Sequence, residues 1–286
     1  MFGCGGYPAR SGADRRFVVK SRPVVTTTES VRLMSRYSRC SGLVLLLVAL
    51  FASGAPSYAQ DRVVSGNSPS EACLAFKRGL SLGATLAGIK AKLQAGKIIT
   101  VVALGSSSTT GFGTGSGGAF PDVMKRELLR LRPSARIELI NSGRIMDNIP
   151  GNIARLDSDV LRFKPDLVVW QLGSNDAVWR GIADNAKDML SDAVKRLKAA
   201  NADVVLVDLQ YAPVVLVASR HVRMEKIIAD VAREQSVGHC PRVLLMKRAS
   251  EAGVKGLVWW DGLHNSAEGH KCVGVALAQM IDAAAR

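Results

Sequence analysis

The residue pattern predicts an α/β protein in which a parallel sheet is covered by helices on both faces. Two observations carry this. Apolar runs of strand length alternate with longer amphipathic segments through residues 98–284. Those runs are also apolar almost throughout instead of at every second residue, as strands buried on both faces require. Reactive side chains are then expected in the loops beyond the carboxyl ends of the strands.

The elements follow in order. Cys73 to Leu93 reads as a helix interrupted by Gly79, Gly83 and Gly88. Ile98 to Leu104 is the first strand, and after the loop GSSSTTGFGTGSGG (105–118) a helix is expected over Phe120 to Leu131. Arg136 to Asn141 reads as the second strand, Asn152 to Leu161 as a short helix and Leu167 to Leu172 as the third strand. Ala183 to Ala200 has a helical Lys and Asp face, Val204 to Leu209 is the fourth strand, and Val222 to Glu234 is again helical. Arg242 to Met246 is expected as a fifth strand and Glu268 to Ala284 as the closing helix.

Residues 1–59 read as targeting sequence, and 60–286 as a single catalytic domain. Arg32, Arg36 and Arg39 precede the apolar stretch Gly42 to Ser53, and Ser57-Tyr58-Ala59 supplies the small residues a signal peptidase reads. Cleavage is expected after Ala59, with Met34 as a more proportionate start than Met1. The apolar stretch is shorter than the roughly 20 residues of a membrane-spanning helix, so no stable span is expected in the mature protein. The expected location is the periplasm or the medium.

Removing residues 1–59 takes away eight Lys or Arg and two Asp or Glu, lowering the formal charge from +14 to +8. The remaining basic residues are scattered among predicted helices, and no basic run interleaved with aromatics points to nucleic acid. Of the cysteines left, Cys73, Cys240 and Cys272, the pair Cys240 with Cys272 is the first disulfide to test. No CxxC or His–Cys cluster points to a structural metal. Oligomeric state is left open.

Three strand ends carry polar groups suited to acyl transfer: Gly105-Ser106-Ser107-Ser108-Thr109-Thr110, Asn141-Ser142-Gly143-Arg144 and Gly173-Ser174-Asn175-Asp176. Near the C-terminus, Trp259-Trp260-Asp261-Gly262-Leu263-His264 sets a carboxylate three residues before an imidazole. A serine nucleophile needs a base for its proton, and a carboxylate can fix that base's tautomer. Gly143 N–H and the Asn175 amide are candidate donors to an oxyanion.

These four blocks, in this order, resemble those of the SGNH branch of the GDSL lipase and esterase family. The resemblance implies Ser107 as nucleophile, His264 as base and Asp261 as its orienting carboxylate. It implies an oxyanion hole from Ser107 N–H, Gly143 N–H and the Asn175 side chain. It also implies a flavodoxin-like three-layer α/β/α sandwich and ester hydrolysis without metal or organic cofactor. Two features depart from the family pattern: Ser106 stands where an Asp usually precedes the nucleophile, and Ile145-Met146-Asp147 follows Arg144 where a further glycine is often found.

The expected substrate is a short acyl ester, with O-acetyl groups on an envelope or extracellular glycan as the leading class. Lysophospholipid or thioester hydrolysis, acyl transfer to a glycan, and a nonenzymatic glycan-binding protein stand as alternatives. Arg144, Trp179, Arg180, Trp259 and Trp260 are candidate pocket residues, each competing with a packing or surface role. Asp176 and His270 read as structural, and His221 and His239 have no acidic partner at useful spacing. Gly113, Gly115 and Gly118 match G-x-G-x-x-G but lie beyond the serine turn instead of directly after the strand, which argues against a dinucleotide site.

Overall fold

The computed structural model describes residues 79–286. The leader, its cleavage after Ala59, the start at Met34 and Cys73 lie outside them. Among the described residues no helix is long and apolar enough to cross a membrane.

The sheet is built from β1 (Ile98–Gly105), β2 (Arg136–Gly143), β3 (Leu167–Gln171), β4 (Asp203–Val207) and β5 (Gly238–Cys240). All pairings are parallel, and the strand order is β2-β1-β3-β4-β5. The helices are α1 (Ala87–Gln94), α2 (Ser107–Thr110), α3 (Phe120–Leu131), α4 (Ile149–Ala154), α5 (Leu156–Asp159), α6 (Ala186–Ala199), α7 (Pro213–Leu216), α8 (His221–Glu234), α9 (Arg242–Glu251) and α10 (Ala267–Ala284). This is the flavodoxin-like order, in which the chain reverses direction across the sheet between β1 and β3.

Alternate residues of each central strand feed opposite cores. Ile99 and Val101 of β1, Leu167 and Val169 of β3, and Val205 and Val207 of β4 pack with Phe120 and Met124 of α3 and with the buried face of α10. Val102 and Leu104, Val168 and Trp170, and Val204 and Leu206 point the other way, onto Leu190 and Leu197 of α6 and Ile228 of α8. Both faces are therefore dry, which explains why the strands read as continuous apolar runs. The three-layer architecture follows from this division.

The structure corrects several expectations. Arg242 to Met246 is not a strand but the start of α9. Its apolar run is too short to separate strand from helix by period, and the helical spacing shows only when Arg242, Leu245, Met246 and Ala249 are seen buried on one face. The true edge strand, Gly238-His239-Cys240, has three residues and no apolar run. Of the helix expected over Cys73 to Leu93, residues 73–78 lie outside the described ones; within these the helix runs over Ala87–Gln94, with Gly79 and Gly83 at positive φ ahead of it. The short helix after β2 starts earlier than expected, at Ile149, where the Asn148 side chain accepts the Gly151 N–H and Pro150 occupies the first turn. Finally, Cys240 is a free, buried thiol, and Cys272 is disulfide-bonded but not to Cys240. Their strand-end and mid-helix positions bury both in the same core without joining them.

Candidate active site

The first and third strands end on either side of the reversal point, and the polar blocks sit there. The register pairs Gly105 with Gly143 and Leu104 with Trp170, so the loops after β1, β2 and β3 emerge side by side. Ser107 opens α2 directly beyond β1, and its side chain is buried.

The missing acid before the nucleophile has a replacement on the neighbouring strand. Gln171 Oε1, at the end of β3, accepts from Ser106 N–H at 3.1 Å, Ser106 Oγ at 2.9 Å and Thr109 Oγ1 at 3.2 Å. One amide oxygen thus closes the turn that presents Ser107. Glycine is required at residue 105 because a Cβ there would lie 2.7 Å from the Gln171 carbonyl and 2.9 Å from its Oε1.

His264 Nε2 lies 3.0 Å from Ser107 Oγ, and its Nδ1 lies 2.6 Å from Asp261 Oδ2. Asp261 Oδ1 accepts the N–H groups of Leu263 and His264, each at 2.9 Å. Burial pushes the Asp261 carboxyl upward, but the bond from His264 and the two backbone N–H groups outweigh it and hold the group below the usual carboxylate range. A carboxylate accepting from Nδ1–H leaves the Nε2 lone pair facing Ser107. The hairpin carrying both residues is pinned by Trp259 N–H to His264 O at 2.8 Å and by a Val258–Asn265 bridge.

The three candidate oxyanion donors meet at the same edge, two of them already engaged. Gly143 N–H donates to Asn141 Oδ1 at 3.0 Å, while Asn141 Nδ2 donates to Thr109 O at 2.7 Å. Gly143 is not a positive-φ residue; it is glycine because a Cβ would lie 2.5 Å from Thr110 N. Close approach of β2 to the nucleophile turn is therefore its structural requirement. Asn175 Nδ2 donates to Asp147 O at 2.7 Å, and an amide NH₂ carries a second hydrogen.

Beneath these groups lies Arg155, which sequence reasoning missed. Its side chain is 6% exposed. Nε donates to Asp147 Oδ2 at 2.7 Å, Nη1 to Ser142 O at 2.7 Å and to Asp159 Oδ2 at 3.0 Å, and Nη2 to Gly105 O at 3.1 Å. One guanidinium thus ties the end of β1, the peptide that carries Gly143 N–H, and the residue whose carbonyl holds Asn175. Nothing in the spacing of Arg155 distinguishes it from a surface helix residue.

The candidate pocket residues separate. Arg144 is drawn to Asp159 at 2.7 Å. Trp179 and Arg180 lie on the π-helical turn Asp176–Arg180, and Arg180 lines a cavity of about 270 Å³ with Asn148, Ile149, Asp176 and Met189. Trp259 and Trp260 instead pack together beside His264, joined by Phe112, another residue the sequence did not single out. Asp176 is buried and accepts Ile149 N–H at 3.1 Å; burial drives its carboxyl up to about 6. His270 is buried, accepting Phe120 N–H at 3.2 Å. His239, contrary to expectation, has an acidic partner, Asp208 at 3.1 Å, and His221 lies 4.0 Å from Glu225. The first pair links β5 to the end of β4, a proximity that a separation of 31 residues in the chain conceals.

Comparison with known proteins places the chain among lipase-like and esterase relatives. Residues 72–286 match the model of the non-GDSL lipase-like family. Esterase TesA of Pseudomonas aeruginosa is 26% identical over 167 residues, covering 58% of this chain and 79% of that protein. A two-domain esterase (CEX) active on acetylated mannans, co-crystallised with mannopentaose, superposes with a TM-score of 0.62 at 18% identity, over 73% of this chain and 56% of the other. LAE5, an alpha/beta hydrolase from the metagenome of Lake Arreo, gives 0.56 at 20% identity, over 64% and 95%. At these identities the superpositions speak to the fold, while the family match spans the whole described region; the chain belongs to the non-GDSL lipase-like family and is an SGNH/GDSL-type hydrolase of ester bonds.

Proposed function

We propose that the protein is a serine esterase that releases short acyl groups, O-acetyl groups on envelope or extracellular glycans first among them. The observation that carries the reading is the chain Ser107 Oγ, His264 Nε2, His264 Nδ1, Asp261 Oδ2, with steps of 3.0 and 2.6 Å. His264 takes the Ser107 proton as Oγ attacks the acyl carbon. Ser107 N–H, Gly143 N–H and Asn175 Nδ2 receive the developing oxyanion, Gly143 by exchanging its bond to Asn141 Oδ1. His264 then protonates the departing alcohol and deprotonates the water that frees the acid from Ser107.

The glycan part of the reading is supported by fold relatives that are esterases of acetylated mannans and of acetyl-xylooligosaccharides from Geobacillus. It is also supported by the leader expected to direct export. The test is acid release from short-chain aryl esters, acetylated glycans and lysophospholipids by wild type and Ser107→Ala. Equal turnover by the two proteins rejects Ser107 as nucleophile, and release from lysophospholipid alone rejects the glycan class.

A further inference from the structure

Phe112, Trp259 and Trp260 form a continuous aromatic wall on the His264 side of the nucleophile. The Phe112 ring lies 4.5 Å from the His264 ring and 5.8 Å from Trp259, edge-on at 82°. Trp259 in turn lies 5.2 Å from Trp260. Both loops that carry these rings are anchored to the backbone of the reacting residues. Phe112 N–H donates to Ser107 O at 3.0 Å, and Trp259 N–H donates to His264 O at 2.8 Å. A Cβ on Gly113 would reach the Trp259 ring at 3.5 Å, so the Gly-rich loop packs against that indole. Yet much of the wall faces water: Phe112 is 38% and Trp260 83% exposed.

We infer that this wall is the binding site for the alcohol half of the ester and that it takes a pyranose ring. The inference rests on the esterase reading above. When the bond between the acyl carbon and the alcohol oxygen breaks, that oxygen receives the proton His264 Nε2 took from Ser107. The alcohol oxygen must therefore lie within hydrogen-bond reach of Nε2, and the rest of the alcohol falls on the histidine's side, where Phe112 begins the wall. The carbonyl oxygen is directed away, toward Gly143 and Asn175. Ring-sized flat faces left open to solvent match a sugar, which has an apolar C–H face to lay on an indole and hydroxyls to leave in water. An alkyl chain on so exposed a surface would keep most of its area hydrated and gain little.

The experiment compares the full-length wild type with Trp260→Ala and Phe112→Ala on three acetates: ethyl acetate, dodecyl acetate and an acetylated mannooligosaccharide, with acid release followed in a pH-stat. The quantity read is kcat/KM for the sugar ester divided by that for ethyl acetate. Each variant should lower this ratio by about tenfold, the scale of one lost ring stack with its buried area. In parallel, the deacetylated oligosaccharide should quench tryptophan fluorescence of Ser107→Ala, with weaker binding in the Ser107→Ala/Trp260→Ala protein. A ratio within twofold of wild type in both variants overturns the wall as a sugar site while leaving the esterase reading intact. A fall confined to dodecyl acetate assigns the wall to alkyl chains and overturns the pyranose assignment. Wild type no faster than Ser107→Ala on every ester removes the esterase reading, and this inference with it.

Discussion

Arg155→Met tests whether the site is held from below by a single buried cation. Arginine's side chain is 6% exposed and bridges Asp147 and Asp159, whose side chains are 13% and 18% exposed. Breaking a buried pair by removing one partner costs about 3–5 kcal/mol. Here the low end applies, because Asp159 keeps Arg144 and Ser158, and Asp147 keeps Asn152 Nδ2 and Asn148 N–H. Methionine also keeps most of the aliphatic volume. A loss of about 3 kcal/mol leaves a domain of ordinary stability folded and lowers Tm by roughly 6–12 °C at this chain length. The catalytic consequence is separate. Nη1 donates to Ser142 O, the carbonyl of the peptide whose N–H belongs to Gly143, so the bond both polarises and aims that donor. Losing one oxyanion donor costs on the order of 10²–10³ in kcat. The variant, assayed at least 15 °C below its own Tm on a short-chain ester, should therefore show a kcat fall of about 10² with KM within a few fold. Lysine at this position should not restore it, because an ammonium lacks the planar fork that reaches four acceptors. A variant with wild-type kcat, or one whose Tm moves by less than 2 °C, shows that Arg155 does not hold the site.

Other outcomes follow from the same geometry. Gln171→Leu strips the shared acceptor from Ser106 and Thr109 and should cost about 2–4 kcal/mol in urea unfolding, against about 1 kcal/mol for Ser106→Ala; equal losses would show that Gln171 does not hold the turn. Asp176, with its carboxyl raised to about 6 by burial, favours the native state below the unfolded value near 4 and loses that contribution as pH rises through about 6. Relative to wild type, Asp176→Asn should therefore gain on the order of 2–3 kcal/mol between pH 4 and pH 7, read from urea midpoints; a pH-independent difference rejects the buried, protonatable carboxyl. His270, lowered to about 4 chiefly by burial, acts in the opposite sense, so stability is lost as pH falls from about 6.5 toward 4; His270→Gln should flatten that limb of the wild-type profile. Cys240, buried in the core with burial pushing its thiol up, should resist maleimide in the native protein and react on unfolding in urea; native labelling at the unfolded rate contradicts its placement.

Much of the fold was legible because its signals are local. The ends of α3 were readable to the residue, since Pro121 and Asp122 open its first turn and an amphipathic run closes at Leu131. The central strands were readable because burial on both faces leaves continuous Val, Leu and Ile runs. Gly238–Cys240 was not readable, because an edge strand of three residues, paired only with Val205 to Val207, needs no apolar pattern. The apolar run Arg242 to Met246 reads as the strand in its place.

The candidate site divides in the same way. The residue order alone shows which types stand at each strand end: a serine after β1, a glycine at the end of β2, an asparagine after β3, and an acid three residues before a histidine. Those choices are visible because each block is contiguous and sits at a boundary that hydrophobic period locates. What joins them appears only once the chain is folded. Ser107 and His264 lie 157 residues apart in the chain, Ser106 and Gln171 lie 65 apart, and Arg155 reaches Gly105 across 50. Such contacts leave no periodic trace, because a hydrogen bond depends on where two elements pack and not on the residues between them. The same holds for the ring of Phe112 against His264, 152 residues on, which only the meeting of two loops brings together.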